Sequence, residues 1–150
     1  KIMKKIFLMF FILAIFMISC KLNKEPLSSE KFESIMKKNG FSIESVVTPQ
    51  LQNSGIKEIL IAKNDNYQIE FYTTDDSDKA IILFNINKEK FMLSKGNGTI
   101  ETSKTIGNQS RYSLKANSKF KLLSRVENTL IYIDAPSEYE KSIKEILKNM

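Results

Sequence analysis

The sequence predicts an α+β domain, a two-layer sandwich in which a mostly antiparallel sheet of five to seven strands carries helices on one face. Three observations lead there. From Thr99 to Asp134, four short β-rich runs are separated by the links Gly107-Asn108, Ala116-Asn117 and Glu127-Asn128. Links of two residues leave room only for antiparallel neighbours, and Asn and Gly suit hairpin turns. In Tyr67–Thr73, Tyr67, Ile69 and Phe71 alternate with Gln68, Glu70 and Tyr72, giving one apolar and one mixed face. Finally, three stretches with helical periodicity are available to cover that apolar face.

In chain order, the first helix starts at Ser28 or Ser29 as N-cap, with Glu30 and Glu33 in its first turns, where the helix dipole favours acids. Phe32, Ile35 and Met36 form its apolar stripe, and Asn39-Gly40 supplies a left-handed stop. Ile43–Thr48 reads as a first strand ended by Pro49, and Gln50–Gly55 as a loop. Ile56–Lys63 and Tyr67–Thr73 form a strand pair around the turn residues Asn64-Asp65-Asn66.

A second helix spans about Ser77–Leu93, with Ala80, Phe84 and Phe91 on its core face, joined by Ile81 and Leu83. Its preceding acids, Asp75, Asp76 and Asp78, read as N-capping rather than as a metal loop, because the glycine and distal Glu of a calcium loop are missing. Ser94–Gly98 ends the helix. It is rich in glycine but follows a helix and precedes a strand, the wrong order for a phosphate cradle.

The meander follows as Thr99–Ile106, Gln109–Lys115, Ser118–Val126 and Thr129–Asp134. Leu130–Ile133 is apolar on both faces and belongs at the sheet's centre. Pro136 opens the last helix, whose stripe is Tyr139, Ile143, Ile146, Leu147 and Met150. The expected core is Phe32, Ile35, Ile69, Phe71, Phe84, Phe91, Leu114, Leu122, Ile131, Ile133, Ile143 and Leu147.

The segment before this domain decides where it resides. Lys4-Lys5 precede an unbroken apolar run, Ile6–Ile18, and then come Ser19 and the only cysteine, Cys20. Thirteen apolar residues make a helix of about 20 Å, shorter than the roughly 20 residues a bilayer core needs. A secretory signal with Met3 as its start is therefore expected, cut after Ser19. Phe16-Met17-Ile18-Ser19-Cys20 resembles the lipobox of bacterial lipoproteins, although Met17 stands where leucine is usual. The resemblance implies cleavage between Ser19 and Cys20, palmitate-like acyl chains on Cys20, and an extracytoplasmic domain held on the cell membrane, inner or outer. An uncleaved anchor helix, an ordinary signal with a coincidental cysteine and a buried core helix are the competing readings.

Three segments result: a signal peptide at 1–19, a lipidated N-terminus and flexible tether at 20–28, and one domain at 29–150. Tyr67–Tyr72 and Ser124–Leu130 resemble stretches of small lipoproteins of low-GC bacteria, a likeness that carries no activity.

Composition narrows the function. The formal charge of the whole chain is +6, but residues 1–19 hold three lysines and no acid, leaving 20 basic and 17 acidic residues and a net +3. Without a basic block this is no nucleic-acid signature, though it suits an anionic membrane or wall polymer. The chain has no histidine, which removes the usual general base and the Ser-His and Cys-His nucleophile arrangements. With Cys20 lipidated, no disulfide can form.

The leading expectation is a non-enzymatic binding module with no cofactor and no metal, meeting a protein or wall-polymer partner through Tyr72, Arg111 and Arg125 near Glu70. Two others stand beside it. One is a carrier of lipid or another small ligand between sheet and helices. The other is a hydrolase using Glu70 with Asp75, Asp76 or Asp134 as paired carboxylates.

Overall fold

The structure, a computed structural model, describes residues 23–150. The signal segment, the cut at Ser19 and the lipidation site Cys20 lie outside the described residues.

The domain is built on one seven-stranded antiparallel sheet. In chain order its strands are β1 (Ser42–Val46), β2 (Ile56–Lys63), β3 (Gln68–Thr74), β4 (Ile100–Ile106), β5 (Gln109–Ala116), β6 (Lys119–Val126) and β7 (Thr129–Pro136). In space the order is β1-β2-β3-β7-β6-β5-β4, so β7 is central, as its two apolar faces require. The helices are α1 (Ser29–Lys38), α2 (Pro49–Asn53), α3 (Ser77–Met92) and α4 (Glu140–Leu147), with a 3₁₀ turn at Ser137–Tyr139 before α4.

Local chemistry fixes the element ends. Ser28 Oγ accepts from Lys31 N–H at 3.2 Å and caps α1. At the other end Gly40 takes φ +82°. Its N–H donates to Lys37 O at 3.1 Å while Phe41 N–H donates to Met36 O at 3.1 Å, the bond pair of a Schellman stop. Asn117 and Ser118 both have positive φ, 51° and 59°, as the β5–β6 hairpin needs to match strand twist.

The stretch expected to be loop contains α2. Thr48 Oγ1 accepts from Leu51 N–H at 3.3 Å and Pro49 occupies the first turn. The Thr-Pro pair was a legible helix start, and the short length of the element hid it.

The sheet is covered on both faces, which corrects the expectation of helices on one. On the first face α1 and α4 place Phe32, Met36, Ile143 and Ile146 against Leu60, Ile69, Phe71, Phe120, Leu122 and Ile133. On the second, α3 places Phe84 and Phe91 against Tyr112, Leu114, Leu123 and Leu130. The reason lies in β6 and β7, where Leu122-Leu123 and Leu130-Ile131 send apolar side chains both ways. A single helical layer would leave Leu123 and Leu130 in water, at about 1.5–3 kcal/mol each.

Of the expected core, Ile35 and Leu147 are part-buried and the other ten residues are buried. Ile81, assigned to the buried face of α3, is exposed, and Asn87 takes the inward place by donating Nδ2–H to Leu83 O at 2.9 Å.

Candidate functional site

The residues before α1 are fastened to the sheet. Lys24 N–H donates to Asn108 Oδ1 at 3.0 Å, and Asn108 Nδ2 returns a bond to Lys24 O at 2.8 Å. Leu27 packs on the first core. The tether is therefore not free beyond Asn23, and Lys24 is held at the β4–β5 turn.

Lys24 so placed borders a cleft of about 290 Å³ on the first face of the sheet. Lys24, Lys104, Ile106, Gln109, Arg111 and Ser124 contribute to its walls. Register explains the grouping. Lys104 pairs with Arg111 across β4–β5, and Arg111 with Ser124 across β5–β6, so all three project on one side. Neither Lys24, Lys104 nor Arg111 is ion-paired among the described residues. Burial lowers the Arg111 pKa from its ordinary value, but a guanidinium keeps its charge. A cavity of about 60 Å³ adjoins the cleft beneath Glu25, Leu27, Phe71, Leu147 and Met150. Such a grouping of cations attracts phosphate or carboxylate.

Arg125 also borders this cleft, but its guanidinium is engaged on the other side of the sheet. It pairs with Ser110 and Leu130, which turns it to the α3 face, and it is only 5% exposed. Its guanidinium donates to Ser77 Oγ at 3.3 Å, Glu127 O at 3.1 Å and Ser110 Oγ at 3.3 Å. Burial lowers its pKa, with Glu127 acting in the opposite direction. This makes it a strut between α3 and the sheet.

Tyr72 also lies on the α3 face, part-buried beside Leu83 and Tyr132, with its hydroxyl donating to Glu70 Oε2. Burial and the Glu70 carboxylate push its pKa well above the phenol range. The three expected contacts thus divide: Arg111 projects on the cleft's face, while the side chains of Tyr72 and Arg125 turn to the other side of the sheet, Arg125 still bordering the cleft.

The carboxylates nominated for hydrolysis divide as well. Glu70 lies beside Tyr132 in register and accepts from Gln68 Nε2 at 2.7 Å. Asp134, on the same face, meets Lys121 at 3.4 Å and Lys119 at 3.9 Å. Both carboxylates raise the Tyr132 pKa, after burial, which contributes most. Asp76 is at the opposite end of the molecule, capping α3 by accepting from Lys79 N–H at 2.8 Å. No group of three or more His, Cys, Asp or Glu that could hold a metal occurs among the described residues.

The cleft itself was not legible in the sequence. The available signal was the β4–β5 hairpin register, which sets Lys104 opposite Arg111 once Gly107-Asn108 is taken as the turn. The contribution of Lys24 depends on a tertiary contact.

No protein-family model matches this chain, and no curated protein matches it. Among solved structures it is similar to a GTP binding regulator from Thermotoga maritima, with a TM-score of 0.50 and 13% identity over 83% of this chain and 87% of that one. The likeness is one of fold.

Proposed function

We propose that the chain is a lipoprotein anchored on the extracytoplasmic side of the cell membrane, with a non-enzymatic binding domain. The observation that carries this reading is the run Lys4-Lys5, Ile6–Ile18, Ser19-Cys20, followed within four residues by Lys24. Acyl chains on Cys20, at about 0.8 kcal/mol per buried methylene, hold the protein on the bilayer without a span. Among the described residues, no helix is long and apolar enough to cross a membrane. The partner is the membrane itself, joined by an anionic protein segment or wall polymer, and Arg111 is the surface contact retained from the sequence reading. The carrier reading is less well supported, since the cavity of about 60 Å³ under the tether is well below the roughly 300–1,000 Å³ of a small-ligand pocket.

Mass spectrometry of the mature protein tests the anchor. The expected product begins at an acylated Cys20, and Cys20→Ser moves the protein from the membrane to the soluble fraction. A mature chain with an unmodified Cys20, or one beginning elsewhere, overturns the reading.

A further inference from the structure

We propose that the cleft of Lys24, Lys104 and Arg111 docks the phosphate headgroups of anionic lipid in the membrane that carries the chain, and so sets the domain's orientation. This inference rests on the anchoring of Cys20. Lys24 lies four positions after Cys20, a reach of at most about 14 Å. Lys24 is fixed to Asn108 through two hydrogen bonds, so that reach ends on the β4–β5 turn and not on a mobile arm. The anchor therefore holds this end of the sheet near the headgroups.

Lys104 and Arg111 share the cleft with Lys24. They lie near a surface whose potential decays over about 8 Å at physiological ionic strength. Among the described residues these cations have no ion-pair partner, unlike Lys115, which meets Glu140 at 2.8 Å, or Lys63, which meets Glu44 at 3.0 Å. Glu25 borders the adjoining cavity, and Glu127 Oε1 accepts from Asn108 Nδ2 at 2.6 Å. Both acids lie beside the cleft's own wall. Three cations at about fivefold in partition each amount to roughly a hundredfold preference for an anionic surface.

The test uses the full acylated protein, reconstituted into vesicles of phosphatidylcholine alone or mixed with phosphatidylglycerol. Lysine acylation by a soluble reagent is followed residue by residue. Lys24 and Lys104 are expected to be protected about tenfold by phosphatidylglycerol, while Lys57 and Lys90 react equally in both vesicles. Lys104→Glu with Arg111→Glu should abolish the protection of Lys24. Equal labelling of Lys24 and Lys104 in the two vesicle types overturns the docking. So does protection by inorganic phosphate alone that matches the vesicles, which would mean a site for a soluble anion.

Flotation with pure phosphatidylcholine vesicles reports the anchor separately, since it needs acyl chains and no anionic lipid. If that flotation fails, the docking is still decided on the same protein. Salt-sensitive flotation with phosphatidylglycerol vesicles supports it, and no flotation overturns it.

Discussion

Arg111 and Arg125 stand on adjacent strands and point to opposite faces of the sheet. Arg111 is paired with Ser124, Arg125 with Ser110, and the odd offset between the two pairs reverses the side. One arginine is a solvent-facing cation in a cleft; the other is buried against the start of α3.

Replacing the two should have opposite consequences. Arg125→Ala removes donors to Ser77, Glu127 and Ser110 and is expected to cost about 1.5–3 kcal/mol. Arg111→Ala is expected to stay within about 0.5 kcal/mol of the parent. Urea midpoints of the two variants decide the matter. Equal midpoints would show that Arg125 is no strut.

The two cores should respond independently. Phe32 stacks on Phe71 at 4.9 Å between centroids on the first face, and Phe84 is buried on the second. Phe32→Ala and Phe84→Ala are each expected to cost about 3–5 kcal/mol. Because the sheet separates them, the double variant should equal the sum within about 0.5 kcal/mol. A coupling well beyond that, measured in the double-mutant cycle, would place both residues in one core.

Alkaline pH should weaken the fold through its tyrosines. Burial, followed by the nearby Glu101 carboxylate, pushes Tyr112 up to about 12 from an ordinary value of 10. The folded state keeps this proton when the unfolded state loses it. The stabilisation is therefore complete below about pH 10 and is lost as pH rises through about 12. Tyr112→Phe should flatten the decline in unfolding free energy between those limits. Absorbance at the phenolate band should show the folded protein ionising later than the urea-unfolded chain, and coincident curves would refute the assignment.

The β5–β6 turn stores a small strain. Ser118 sits at φ +59°, a region that costs a residue with a Cβ about 1–2 kcal/mol. Ser118→Gly should raise stability by about 0.5–1 kcal/mol after the entropy of the unfolded glycine is counted. Calorimetry showing a lower midpoint would mean that the Ser118 side chain contributes more than the strain costs.

The sequence by itself determined the elements whose cause is local. Asn39-Gly40 stops α1 because glycine enters the left-handed region freely, and Asp76 caps α3 because its side chain reaches an amide three residues on. The two-residue hairpin links and the doubly apolar Leu130–Ile133 were enough to order β4–β7 and to place β7 at the centre. Tertiary structure alone decided which faces are covered, that Lys24 is fastened to Asn108 across 84 positions, and that Lys104 and Arg111 share a cleft that Arg125 borders while its guanidinium is bonded to the start of α3. Periodicity records which side chains alternate. Only packing fixes what lies over each side, because the favourable burial of Leu123 and Leu130 requires a helix whose position no local pattern encodes.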